Sequence, residues 1–406
     1  MRFYMVEASA KGGLIHYAFH LCRAMQRLGV DTTLVTSTNY ELRDLKHEFR
    51  VVELLKLWDP RGKKAGNPLV RKLRRGWRGV RYVLEWLRLV HFLQREKPDV
   101  VLFGEMRFGF EKYFLRMLRR SGFLLADIVH DVQPYDTSRA ADRIVATREQ
   151  LAAFQRIYEQ FDALFVHDQS NYVQFLELYR IDPTRVHRIF LPTSELMLEV
   201  EQALTPDEMR QQFGVERGRP VVLFFGTITK YKGLEDLLRA FPAVQQQTGA
   251  KLIVAGFPAK DVDPEALCAL ADELGIAPHT AWYLDYVPNE WVATLMNISD
   301  VVVLPYRAIT QSGVLQIAYA CSKPVVATRV GGLPDIVEEG RSGLLVEAGN
   351  PQSLAQAIVE VLSSPEKIEA MGAYARTLAE QKYSWLKLAE ELRAVFEQEL
   401  TVGDKR

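Results

Sequence analysis

The stretch Pro305–Val346 reads PYRAITQSGVLQIAYACSKPVVATRVGGLPDIVEEGRSGLLV. It parses as a strand end, a polar turn, a short helix, a buried strand, a Gly-Gly turn and a second helix. Two turns, Thr310-Gln311-Ser312-Gly313 and Gly331-Gly332, therefore present helix N-termini to one crevice. The first amides of a helix have no internal partner and the dipole is positive there, so the pair suits an anion such as phosphate.

Outward from this stretch the same alternation continues. Short apolar runs at Val221–Phe225, Lys251–Ala255, Thr280–Leu284, Val301–Leu304, Pro324–Ala327 and Gly343–Val346 are separated by amphipathic helices. In the first half the strand candidates are Arg2–Glu7, Thr32–Thr36, Val100–Phe103, Leu124–His130 and Ala163–Val166. A helix over Gly13–Leu28 carries Leu14, Tyr17, Leu21 and Met25 on one stripe. Continuous apolar strands alternating with helices predict parallel sheets covered on both faces.

A chain of 406 residues suits two domains. The segment from about 191 to 220, with Pro192, Pro206, Gly214, Gly218 and Pro220, marks the junction. The domains are read as 1–195 and 196–383, with 384–406 forming a last helix that packs back on the first. Its apolar positions are Trp385, Leu388, Leu392, Val395 and Phe396, behind a Ser384 N-cap. The zero net charge hides an asymmetry. Residues 1–200 carry 32 Lys and Arg against 24 Asp and Glu, a net +8, and the second half carries −8.

No run approaches the roughly 20 apolar residues that a membrane-spanning helix needs. The start reads as a strand and a glycine turn, with Glu7 and Lys11 where a leader would be apolar. Cys22, Cys268 and Cys321 are isolated and lack metal-ligand spacing, so they read as reduced core residues of a cytoplasmic protein.

A second glycine turn, Gly226-Thr-Ile-Thr-Lys-Tyr-Lys-Gly233, joins the strand VVLFF to the helical run LEDLLRAF. Glycines at both ends let backbone approach a ligand, and Lys232 can reach it as a point charge. The plainer alternative is a solvated lysine in a tight turn. The spacing is not that of a P-loop.

Together these elements resemble the retaining glycosyltransferases of family 4, whose GT-B fold faces two Rossmann-like α/β domains across a cleft. The resemblance is tightest over Val221–Val346 and includes GTITKYKG, YLDYVPNEWV, SDVVVLPYR and SGVLQIAYACSKPVV; KGGLIHYAFHLCRAMQRLGV near the start is also similar. It implies transfer of a sugar from a nucleoside-diphosphate sugar to a hydroxyl acceptor with retention, with neither metal nor further cofactor. Lys232 matches the cation on the donor diphosphate. Gly226, Thr227, Thr229, Gly233 and the loop Thr310, Gln311, Ser312, Gly313 and Val314 match donor-binding turns, and Tyr286 and Val287 the backbone that holds the base. His130 matches a histidine facing the donor sugar. Gly12 and Gly13 match the turn facing the acceptor.

The pattern is broken in places. Two glutamates expected around the donor loop are Ile309 and Ile317, and Thr227 and Thr229 stand where an arginine is common. Gln311 or Gln316 can supply polar contacts instead, and Asp335 retains an acid after Gly-Gly-Leu-Pro. His167 and Asp168, which end the next strand, read as ordinary strand-end residues. A nucleotide- or glycan-binding partner without transferase activity is one rival reading, and another GT-B enzyme, such as a sugar-phosphate epimerase or an inverting transferase, is a second.

One feature stands apart. From Val70 to Leu93 apolar residues Val70, Leu73, Trp77, Val80, Leu84, Leu87 and Val90 recur at helical spacing, with Arg71, Arg74, Arg75, Arg78, Arg81 and Arg88 between them and Arg61, Lys63 and Lys64 before. Residues 61–93 thus read either as a core helix with a solvated basic face or as a helix lying on the anionic inner face of a membrane. A membrane-peripheral location would suit a lipid-linked acceptor. Nucleic acid is not expected, since no recognition motif accompanies the charge.

Overall fold

The computed structural model describes residues 1–56, 68–132, 147–193, 200–309 and 311–403. Thr310 and residues 61–67 of the basic segment fall outside them. Two parallel sheets organise the chain. The first holds β1 (Arg2–Glu7), β2 (Asp31–Ser37), β3 (Arg50–Leu55), β4 (Val100–Phe103), β5 (Leu124–Val129), β6 (Ala163–His167) and β7 (Val186–Ile189), in the order β3-β2-β1-β4-β5-β6-β7. The second holds β8 (Val221–Phe225), β9 (Lys251–Ala255), β10 (Thr280–Tyr283), β11 (Val301–Leu304), β12 (Val325–Thr328) and β13 (Gly343–Val346), in the order β10-β9-β8-β11-β12-β13. Both orders reverse beside the first strand of the sheet, at β1/β4 and β8/β11. At such a switch point the loops diverge and open a crevice at the strands' carboxyl ends.

Each sheet is apolar on both faces because successive side chains alternate. In β1, Phe3 and Met5 enter one core, and Tyr4 and Val6 the other. In the second sheet, Val221 and Leu223 enter one core, and Val222 and Phe224 the other. The last helix, Trp385–Gly403, sends Leu388, Leu392 and Phe396 into the core of the first sheet. The Phe396 ring stacks on Phe3 with centroids 5.8 Å apart. Burial of each such side chain contributes about 2 kcal/mol, which anchors the C-terminus across the domain junction. Ser384 caps this helix, its Oγ accepting from Lys387 N at 3.2 Å.

The structure departs from the sequence reading at two strands. Strands β3 and β7 add to the five expected in the first sheet. They form its two edges, where partial exposure dilutes the apolar signal. The long helix runs over Pro68–Glu96. Its stripe Trp77, Val80, Leu84 and Leu87 does not face the core: these four side chains are exposed, Trp77 by 72% and Leu84 by 52%. Packing falls to Val90 of the same stripe and to Trp86, Leu89 and Leu93.

Candidate functional site

The crevice of the second domain is built from the two turns that the sequence singled out. Gly226 ends β8 with φ of +94°, and a Cβ there would lie 3.2 Å from Val314 Cγ2 and 3.4 Å from Lys232 Nζ. Only a residue without a side chain lets those two groups come so close over the turn. The backbone of Arg307 donates to Tyr231 O at 2.7 Å, which ties this turn to the loop after β11. Gly331 lies directly against the carbonyl of Ile309, which brings the Gly-Gly turn to the same place.

Lys232 is buried, with its ammonium 5.7 Å from the centre of the Tyr306 ring. No carboxylate pairs with it among the described residues. Burial in this apolar setting lowers its pKa to about 8. Such a cation has lost its water without gaining a counter-ion, so a ligand anion is the natural group to complete it. The chain continues from Tyr306, whose hydroxyl lies 3.4 Å from Ser312 Oγ, to the cap of helix Gly313–Ala320, where Ser312 Oγ accepts from Leu315 N at 3.2 Å. Lysine, ring and loop thus form one connected unit.

The other expected donor residues surround it. Thr227 is exposed, and the Thr229 hydroxyl is enclosed without a partner. Tyr286 stands 66% exposed, its hydroxyl donating to Asn289 Oδ1 at 3.2 Å, and Val287 is buried beneath it. Ile309 and Ile317 are partly buried against the domain core. Of the two glutamines, Gln316 is fully buried, its Oε1 accepting from Thr193 Oγ1 at 3.3 Å. Gln311 reaches the other domain: its Nε2 donates to Asp168 Oδ2 at 2.9 Å.

On the first domain, Gly12 has φ of +91° and is the N-cap of helix Gly13–Arg27. Positions 12 and 13 face open space. The carboxylate of Glu41 accepts from Gly12 N at 2.5 Å and lies 2.8 Å from His16 Nε2. His130 follows β5, with its ring edge-on to Tyr17 at 4.8 Å and 5.2 Å from the His167 ring. Burial lowers the His130 pKa to about 4, so its imidazole is neutral at physiological pH, and its enclosed Nε2 has no hydrogen-bond partner among the described residues. The Trp385 ring closes this aromatic floor against Tyr17 at 4.9 Å, and its Nε1 donates to Thr193 O at 2.8 Å.

Asp168 and the Glu41–His16 pair were not among the site residues expected from sequence. Asp168 is buried with φ of +58° and ψ of 162°, a region almost confined to glycine that costs an ordinary residue roughly 1–3 kcal/mol. Burial lifts its carboxyl to about 7, against the Gln311 hydrogen bond, which pulls it down. Its position at the carboxyl end of a parallel strand was the one available signal.

Residues 12–191 match the glycosyl transferase 4-like domain, and residues 206–378 match the glycosyl transferases group 1. The chain belongs to this glycosyltransferase family. A D-inositol 3-phosphate glycosyltransferase of Mycobacterium marinum is 32% identical over 260 residues, which is 62% of this chain and 54% of that protein. The chain spans a little over half the length of such curated relatives. Among solved structures, sucrose-phosphate synthase from Thermosynechococcus elongatus superposes with a TM-score of 0.70 at 17% identity, covering 99% of both chains. HepE from Anabaena, crystallised with UDP, also gives 0.70 at 17%, covering 98% of this chain and 100% of that one. At that identity the likeness is one of fold, the GT-B arrangement of two Rossmann-like domains.

Proposed function

We propose that this family member transfers a sugar from a nucleoside-diphosphate sugar to a hydroxyl of a glycan or lipid-linked glycan, with retention and without a metal. The observation that carries the reading is Lys232, a buried ammonium lacking a carboxylate partner among the described residues, beside the Ser312–Val314 loop. In this reading residues 196–383 hold the donor. Lys232 and the amides after Ser312 take the diphosphate, and the backbone at Tyr286 and Val287 takes the base. Residues 1–195 present the acceptor past Gly12 and Gly13, and His130 faces the sugar.

The chemistry follows from charge. As the bond from the anomeric carbon to the diphosphate oxygen breaks, the bonding pair leaves with the nucleoside diphosphate, and Lys232 stabilises the growing negative charge. The acceptor oxygen attacks the same face. Its proton passes to the departing phosphate oxygen, which balances the step. The UDP bound by HepE supports a uridine donor as the first one to test.

A thermal-shift screen with UDP, GDP and their sugars tests the reading, since a ligand at 100 times its Kd stabilises by about 2.7 kcal/mol. Stabilisation by one nucleotide series, followed by retained configuration in the product, is the expected result. Stabilisation without donor hydrolysis or transfer would favour the inactive binding partner. No stabilisation by either series would overturn the donor site.

The exposed stripe supports a cytoplasmic, membrane-peripheral location. Trp77, Val80, Leu84 and Leu87 lie exposed on the helix Pro68–Glu96, with Arg81 and Arg88 exposed on the same helix. Tyr82 links this helix to Phe108 and Phe110, whose rings lie 5.1 and 5.8 Å from its own and are also exposed. Apolar residues flanked by arginines suit an anionic lipid surface. No helix among the described residues is long and apolar enough to cross a membrane. The double variant Trp77→Glu/Leu84→Glu is expected to lose at least about tenfold in binding to phosphatidylglycerol vesicles, with its melting temperature unchanged because both side chains are exposed. Equal binding by the two proteins would remove the membrane from the proposal.

A further inference from the structure

Asp168 gives up what its place in the fold offers. It is the N-cap of helix Gln169–Leu178, where an aspartate ordinarily accepts from an amide of the first turn. Its side chain makes no capping bond. It crosses the cleft instead, and Oδ2 accepts from Gln311 Nε2 at 2.9 Å. Its backbone is also held at a positive φ that the helix start does not require of an aspartate. The cap and the relaxed backbone are both exchanged for one contact with the second domain's loop.

That contact has a directional consequence. Asp168 Oδ2 is the acceptor in this contact, so the amide nitrogen of Gln311 faces it and the amide oxygen Oε1 is turned away as an acceptor. A glutamate in this loop would offer an acceptor oxygen to a sugar hydroxyl. Here Ile309 and Ile317 pack against the core, and Gln316 is buried with its oxygen bonded to Thr193. Gln311 is the remaining amide in the loop, and Asp168 sets which way it points.

We infer that Asp168 is a positioning residue for the donor sugar, orienting Gln311 so that its carbonyl accepts from a sugar hydroxyl in place of the absent glutamates. The inference rests on the donor reading proposed above.

Calorimetry of the full chain with UDP and with UDP-glucose, and in parallel with GDP and GDP-mannose, separates the two. The readout is the affinity for the nucleotide sugar relative to that for the bare nucleoside diphosphate. Asp168→Ala is expected to bind the nucleoside diphosphate as the wild type does, which also reports its folding, while this ratio falls by about tenfold. Asp168→Asn keeps a carbonyl that can accept from Gln311 and should restore the ratio. Gln311→Ala, on the partly exposed loop, should reproduce the loss and carries the test alone if Asp168→Ala does not fold. The double alanine variant should lose about tenfold, not the hundredfold expected of independent residues.

A ratio unchanged in both single alanine variants, or losses that multiply in the double variant, would overturn the role of Asp168 and leave the donor site standing. A wild type that binds neither nucleotide nor nucleotide sugar would overturn the donor reading and this inference together.

Discussion

Lys232→Ala is expected to lower the rate of sugar transfer by about two to three orders of magnitude, comparable to the loss of a positioned group that stabilises transition-state charge. The geometry explains why no neighbour can replace it. Its ammonium lies over Tyr306 and against Gly226, with no carboxylate partner among the described residues. Removing an unpaired buried cation relieves a desolvation cost, so the melting temperature of the unliganded variant should hold or rise. A variant that transfers sugar within threefold of wild type, or that melts well below it, would refute this account.

The same residue sets a pH dependence. With a pKa lowered to about 8 by burial, the free enzyme carries the ammonium below that pH and loses it above. A diphosphate binds the charged form, so nucleotide affinity should be level below about pH 8 and fall above it by up to tenfold per unit. The fall should disappear in Lys232→Ala. Affinity that strengthens above pH 8 in the wild type would contradict the sign.

How much of this was legible in the chain depends on where the causes lie. The turns Gly226–Gly233 and Gln311–Gly313 declare themselves locally, because glycines, a cap and a lysine sit between an apolar strand and a helix. Edge strands β3 and β7 do not. RVVELL and VHRI mix polar and apolar residues, since one side of an edge strand has no neighbour. In the helix Pro68–Glu96, periodicity identified an amphipathic helix but could not say which of two apolar stripes faces inward. Trp86, Leu89 and Leu93 win because they meet Phe103 of the first sheet and Phe114 of the helix Lys112–Arg119, whose rings lie 5.8 and 5.3 Å from Trp86. Asp168 was the least legible, because its partner Gln311 lies 143 residues away and only the closing of two domains makes them neighbours.

Gly233→Ala is expected to destabilise the second domain by about 3 kcal/mol and to abolish nucleotide binding with it. Gly233 has φ of +65°, and it both closes the turn Lys230–Lys232 and begins the helix Leu234–Thr248. The left-handed backbone costs alanine about 1 kcal/mol. The larger share comes from the new Cβ, which would overlap the carbonyl oxygen of Pro305 at the end of β11. That oxygen belongs to the backbone directly following a central strand, so the turn must move, and Lys232 immediately before it moves too. Gly249→Ala supplies the control. Gly249 has φ of +68° at the far end of the same helix, but nothing lies within 4 Å of the added carbon. It should pay only the backbone cost, about 1 kcal/mol or roughly 2–4 °C in melting temperature, and bind nucleotide normally. The difference between the two variants isolates the Pro305 contact. If both melt at the same temperature, close packing of the glycine turn against β11 is not what holds the lysine in place.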